Sequence, residues 1–361
     1  MANPVVCWFA PVNGVEVVRH QGVGNTAPFQ ARLCVRRWQW HVALIMLLLS
    51  SGMVTGDMSA AERYRPFRIG VLTESWGPTV ATVGLRDGLL ALGYREDEQF
   101  AIGVRFTRGD LAALPAAARE LVRLGVDLIY ISQASAAKAA QMATDRIPII
   151  FAGVGDPQGS GLVQSFARPG GNVTGVTNLS LDLSPKRLEL FRQTIPALKR
   201  VLYPYDPADA YAMAQLGVYR DAARRLGIEL VEHTVHSEEE AQATLTRIRK
   251  GDVDGIVAPD GLSLNIPGFI LEAAAQQAIP TMFAAALWVE RGALASYGPD
   301  FYDMARQAAR LVDKILKGAD PAEIPVEVNP KIELAINLKV AKALGLAIGP
   351  EMLYQADRLV R

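Results

Sequence analysis

From Arg68 onward, short runs of β-branched and apolar residues alternate with alanine- and leucine-rich stretches of helical period. The run RIGVL precedes a helix over Val80 to Leu92 that Gly93 stops, since glycine readily takes the left-handed turn that ends a helix. FAIGVRF then precedes LAALPAAARELVRLG, VDLIYIS precedes SAAKAAQMATD, and IPIIF runs into a loop with glycines at 153, 155, 159 and 161. This succession of strand–helix units predicts a parallel sheet with helices on both faces.

After NVTGVT and a helical PKRLELFRQTIPAL the rhythm restarts. KRVLYPY precedes a helix ending near Leu226-Gly227, IELVEHTV precedes SEEEAQATLTRIRKG, VDGIVAPD precedes IPGFILEAAAQQA, and IPTMFA precedes a short helix. The pattern repeats without a direct sequence repeat, so similar architecture is expected rather than duplication. A further strand and helix in GALASYGPDFYDMARQAARLVDKILKG, with the helix over Phe301 to Lys317, are expected to return to the first half. The fold class is therefore α/β, with two doubly wound parallel-sheet lobes joined by a multi-crossing hinge. Residues 66–178 plus 298–323 are expected in lobe 1, and 179–297 plus 324–361 in lobe 2 and the tail. Ligands of such sheets bind beyond the carboxyl ends of the strands, which both lobes would present to one cleft.

Composition adds limits. The 361 residues are 50% hydrophobic and 20% charged, enough for a sizeable core and about two domains. Lys plus Arg and Asp plus Glu both number 37, so the overall charge gives no reason to expect nucleic acid as a partner. The first 61 residues read differently: Arg36-Arg37, an apolar run from Val42 to Leu49, and small residues through Ser59-Ala60-Ala61 have the layout of an export signal cleaved after Ala61. The apolar run is shorter than the roughly 20 residues a membrane span needs. Residues 1–33 are an unusual preface for such a signal and point to a mis-assigned start. Cys7 and Cys34 both precede the cleavage point, so the expected mature chain has neither a disulfide nor a lipid-modifiable cysteine and is periplasmic.

The glycine-rich loop has no Gly-Lys-Ser/Thr, and Pro157 within it breaks the dinucleotide fingerprint, so it reads as a cleft wall leading to a crossing. Histidines are few: His20 and His41 fall in the leader, while His233 and His236 suit a solvated role. With no Cys or His cluster and no Gly-x-Ser-x-Gly elbow in the mature part, no metal, no cofactor and no catalytic residue is expected. Polar and aromatic residues do collect at the predicted strand ends: Trp76, then Ser132, Gln133 and Ser135, then Asp156, and in the second lobe Tyr205, Asp206, Asp260 and Trp288. A ligand carboxylate would suit the helix start at Ser132 to Ser135, an ammonium would suit Asp156, Asp206 or Asp260, and an apolar body would lie on Trp76 or Tyr205. Each also has a structural reading: Ser135 as a helix cap, Asp206 and Asp260 as turn formers, Trp288 as core.

Five stretches carry a resemblance: GLRDGLLALGY at 84–94, LPAAARELVRLGVDLI at 114–129, IPIIFAGVGDPQGSGLVQSFARPGGNVTGVT at 147–177, VERGALASYGPDFYDMARQAARLVDKILKGADPAEIPVE at 289–327, and ELAINLKVAKALGLAI at 333–348. Over nearly all of 66–361 the chain resembles the periplasmic substrate-binding proteins of ABC transporters, a family with tryptophan- and tyrosine-binding members. The resemblance implies a type I periplasmic binding protein fold and a monomer closing on a small-molecule ligand, an amino acid or related carboxylate, for an ABC permease in the inner membrane. The alternative it leaves is a sensor of the same fold signalling to a membrane kinase or chemoreceptor. Ser132-Gln133-Ala134-Ser135, Tyr205-Asp206-Pro207 and FAAALWVERG depart from the family pattern at positions expected to face the pocket, so aromatic specificity does not carry over from the family alone. Hinge segments are expected near Thr174 to Ser180, Tyr297 to Pro299 and Ile324 to Val328.

Overall fold

A computed structural model describes residues 65–361 other than 76, 78, 179 and 261–265; the proposed leader and Trp76 lie outside the described residues. The first sheet holds six strands, ordered β11-β5-β4-β3-β1-β2: β1 Phe67–Thr73, β2 Phe100–Phe106, β3 Leu128–Ile131, β4 Ile149–Ala152, β5 Val173–Thr177 and β11 Glu327–Val328. All are parallel, with Ile69 paired to both Ile102 and Leu128, and Ile149 to Val173. The strands β3 and β4 are buried along their whole length, as continuous apolar runs between two helical layers must be.

One of those layers is α1 Val80–Ala91 with α9 Phe301–Leu316, the other α2 Leu114–Arg123 with α3 Ala134–Ala143. The helix α1 starts at Thr79, whose side chain accepts from the Thr82 amide, and stops before Gly93 at φ 90°. It lies so close to α9 that Gly84 and Gly88 face Tyr302 and Ala309 with no room for a Cβ. The helix α9 therefore completes the first lobe although it follows most of the second in the chain.

The second sheet is ordered β13-β12-β10-β9-β8-β6-β7: β6 Arg200–Tyr205, β7 Glu229–Thr234, β8 Gly255–Val257, β9 Thr281–Phe283, β10 Ala295–Pro299, β12 Ile332–Asn337 and β13 Arg358–Val360. It is parallel except that β12, with β13 alongside, runs antiparallel to β10. The helices α4 Ser180–Thr194 and α5 Ala210–Leu226 cover one face, while α6 Glu238–Arg247, α7 Ile266–Gln277 and α8 Ala286–Glu290 cover the other. Two short helices, α10 Leu338–Ala343 and α11 Pro350–Gln355, finish the chain between β12 and β13.

The chain passes between sheets after Thr177, after Pro299 and after Val328. A lobe boundary at 324 would assign Glu327–Val328 to the second lobe; they pair with Val176 and Thr177 of the first instead, because the extended segment continues that sheet edge before it crosses. The crossings are stitched together. The Asn329 amide donates to the Thr177 carbonyl at 2.9 Å, and its side-chain nitrogen donates to Asp303 at 3.1 Å and Gln307 at 2.8 Å. Lys331 pairs with Asp300 at 2.8 Å.

Candidate functional site

Both sheets reverse their strand order at the second strand, between β1 and β3 in the first lobe and between β6 and β8 in the second. The helices that follow neighbouring strands there lie on opposite faces, which leaves a crevice at the carboxyl edge. Glu74 and Ser135 stand at the first of these edges, Asp206 and Asp260 at the second. The lobes meet across this gap: a Cβ on Gly155, in the loop after β4, would lie 2.6 Å from the Tyr211 hydroxyl in the first turn of α5.

The glycine-rich loop is held by its own turns. Asp156 accepts from the Gly159 amide at 2.7 Å, the Pro157 carbonyl accepts from Leu162 and Val163, and the Thr177 hydroxyl donates to the Val154 carbonyl at 2.7 Å. Gly153, at φ 110°, lies against the Phe301 ring, a conformation and a space that both exclude a larger residue. The loop thus forms a wall tied to the first crossing.

The structure brings only some of the predicted positions together. Ser135, in the first turn of α3, donates to Glu74 at 3.0 Å. Gln133 precedes that helix, and its side-chain carbonyl oxygen is buried without a hydrogen-bond partner. Ser132 is half-buried on the same turn. In the second lobe Asp260 pairs with Arg187 at 2.8 Å and accepts a hydrogen bond from Ser180. The others have local roles. Asp156 is exposed, Asp206 accepts from the Ala208 amide at 2.8 Å, and the buried Tyr205 ring stacks on Tyr203 within the core. Trp288 stacks on Phe283 at 5.4 Å, with Arg291 over its ring.

Several residues that shape the crevice did not stand out in the sequence. Glu74 follows β1 directly and is only 5% exposed. Burial pushes its carboxyl up to about 6; the Ser135 hydrogen bond works the other way, and Asp209 across the gap adds to the rise. Asp209 caps α5 by accepting from the Tyr211 and Ala212 amides, and burial raises its pKa as well. Arg187 of α4 is wholly buried and donates to the Tyr297 carbonyl, the Tyr219 hydroxyl and Asp260, each at 2.8 Å. Tyr297 belongs to β10 just before the second crossing, and Ser180 opens α4 just after the first. The Asp260–Arg187 pair therefore links the crevice edge to two crossings, through the Tyr297 carbonyl and the Ser180 hydroxyl. Gln215 completes this cluster, accepting from the Tyr203 hydroxyl at 3.0 Å and the Asp260 amide at 3.3 Å.

The chemistry on offer is recognition: a helix N-terminus, hydroxyls and carboxylates around a gap between two hinged lobes. Among the described residues no group of His, Cys, Asp and Glu could hold a metal ion, and no helix is long and apolar enough to cross a membrane.

Comparison with known proteins follows the same lines. A curated relative, the tyrosine-binding protein of Clostridioides difficile (strain R20291), is 29% identical over 288 residues, 79% of this chain and 82% of its own length. Among solved structures, an ABC domain in complex with L-Trp from Streptococcus pneumoniae is 29% identical with a TM-score of 0.75, covering 82% of this chain and 100% of that one. A conserved domain protein from Vibrio cholerae is 31% identical with a TM-score of 0.74, covering 81% of this chain and 99% of that one. The model of the family described as ABC transporter substrate binding protein matches residues 69–360. The chain belongs to this family of extracytoplasmic proteins, with the type I periplasmic binding protein fold, and is a solute receptor for an ABC importer.

Proposed function

We propose that the ligand is an amino acid, captured in the crevice between the lobes and released to a permease in the inner membrane. The observation that carries this reading is the pairing of a carboxylate, Glu74, with the N-terminus of α3 through the 3.0 Å Ser135 bond. An α-amino acid presents an ammonium and a carboxylate side by side, and these two protein groups of opposite preference are also side by side. The relatives support the class: one carries tyrosine in its name and another was solved with L-Trp. The leader supports export, with cleavage after Ala61 giving a periplasmic monomer.

A thermal-shift screen of the mature chain tests the reading, since a solute that binds only the folded state raises its melting temperature. The expected result is a rise with one or more L-amino acids and none with sugars or purines. A rise with sugars alone would overturn it.

A further inference from the structure

We propose that Glu74 is the specificity-determining residue of the crevice: its carboxylate receives a protonated amine on the ligand, so that solutes lacking such an amine are rejected. The inference rests on the crevice being the ligand site, and it extends that reading to a named counter-ion.

The other carboxylates near the gap have cation or backbone-amide partners. Asp260 is already balanced by the buried Arg187 guanidinium and also accepts from Ser180. Asp156 and Asp206 accept from backbone amides of their own turns. Asp209 accepts from two amides of the helix it caps. Glu74 alone is 95% removed from solvent with one neutral donor, the Ser135 hydroxyl, as its side-chain partner among the described residues. A carboxylate has about four acceptor positions, and leaving a buried one without a cation is costly. An ammonium carries three donors and the missing charge.

A second, independent observation points the same way. The Gln133 side-chain oxygen, two residues from Ser135, is also a buried acceptor without a donor. Facing them across the gap, Asp209 adds negative potential, which favours a cation over an anion at this spot. The structure thus holds acceptors on the first-lobe side with no cation beside the carboxylate among the described residues; an amine supplies both donors and that charge, a sugar hydroxyl supplies donors alone, and a dicarboxylate supplies neither.

The test uses matched probes on the mature chain and its isosteric variant Glu74→Gln, by calorimetric titration. L-tryptophan is compared with tryptamine, which lacks the carboxylate, and with indole-3-propionate, which lacks the amine. L-leucine is compared with isoamylamine and 4-methylpentanoate in the same way, and putrescine is added as a diamine. The native chain is expected to bind at least one amine-bearing probe at least tenfold more tightly than its amine-free counterpart. In the Gln variant that ratio should fall towards one, whereas a purely structural role would weaken both probes alike and leave the ratio unchanged. An unchanged ratio, binding of amine-free probes only, or no binding of any amine-bearing probe would overturn the assignment. Binding of tryptamine, isoamylamine or putrescine with no amino acid bound would instead remove the amino-acid reading and leave the role of Glu74 standing.

Discussion

Gly155 and Tyr211 touch across the gap between the lobes: a methyl group on Gly155 would stand 2.6 Å from the Tyr211 hydroxyl and 2.9 Å from its ring. That hydroxyl is buried beside Ser180 without a well-formed hydrogen bond, so the ring edge is a closely fitted part of the contact between the lobes. Gly155→Ala should keep the lobes from closing fully while leaving each lobe's core intact. The expected outcome is at least a tenfold loss of ligand affinity and a smaller ligand-induced compaction by X-ray scattering, at an unchanged melting temperature without ligand. Native affinity in this variant would show that the contact does not govern closure.

The buried carboxyl of Glu74 makes stability depend on pH with a definite sign. Its pKa is raised from 4.5 to about 6, so between those values the folded chain holds a proton that the unfolded chain has released. Stability is therefore greatest below about pH 4.5 from this group and falls as pH climbs through 6. The difference corresponds to about 2 kcal/mol. Glu74→Gln removes the cost, and the unliganded variant should melt about 4 °C higher than the native chain at pH 7. Scans from pH 4 to 8 measure both slopes, and parallel curves for the two proteins would refute the prediction.

Arg187 and Asp260 form an ion pair whose loss should be severe. Arg187→Met leaves Asp260 facing buried Tyr219 and Ser180 with no cation, and breaking such a pair from one side costs about 3–5 kcal/mol. Urea unfolding should show that loss for the single variant. A double variant with Asp260→Asn should recover part of it, because the unpaired charge is gone. A double variant no more stable than Arg187→Met would show that the lost contacts to Tyr297 and Tyr219, and not the stranded carboxylate, set the cost.

The close approach of α1 and α9 sets two opposed effects against each other. Alanine at Gly84 would gain about 1 kcal/mol in helix propensity. Its Cβ would, however, meet the Tyr302 carbonyl oxygen at 2.3 Å, and backbone cannot step aside as a flexible side chain can. Overpacking of this kind costs about 1–3 kcal/mol, so Gly84→Ala should be net destabilising. A thermal melt showing equal or greater stability would mean that the helices can separate freely.

Much of the architecture was legible because the chain alternates two periods. Runs such as IPIIF and RIGVL, short, β-branched and followed by turn or helix signals, read as buried strands, and Gly93 and Gly227 end helices where their φ of 90° and 64° require. The tail was less legible: β13 is a three-residue strand and α10 and α11 span six residues each, too short for a period to show. Asp156 and Asp206 read as strand-end carboxylates, yet aspartate is also the residue that closes tight turns, and each accepts from an amide of its own turn. Glu74 does not stand out beside Trp76 because a glutamate after a strand is commonplace; the usable signal is its place at the end of β1, where the strand order reverses. Arg187 was hidden for another reason. It sits in PKRLELFRQ, which reads as a solvated helical face until the fold turns that face toward Asp260.

The first lobe takes its α9 layer and its edge strand from residues 301–328, after five of the second lobe's seven strands, β6 to β10, have been specified. The apolar face of α1 has no cover until that late segment exists. Residues 65–177 emerging alone thus lack a complete core, and the lobe must wait for contacts separated by more than 200 positions, such as Tyr94 with Asp313. Contacts of such long sequence separation slow folding. The first lobe thus cannot be cut from the chain as one continuous piece.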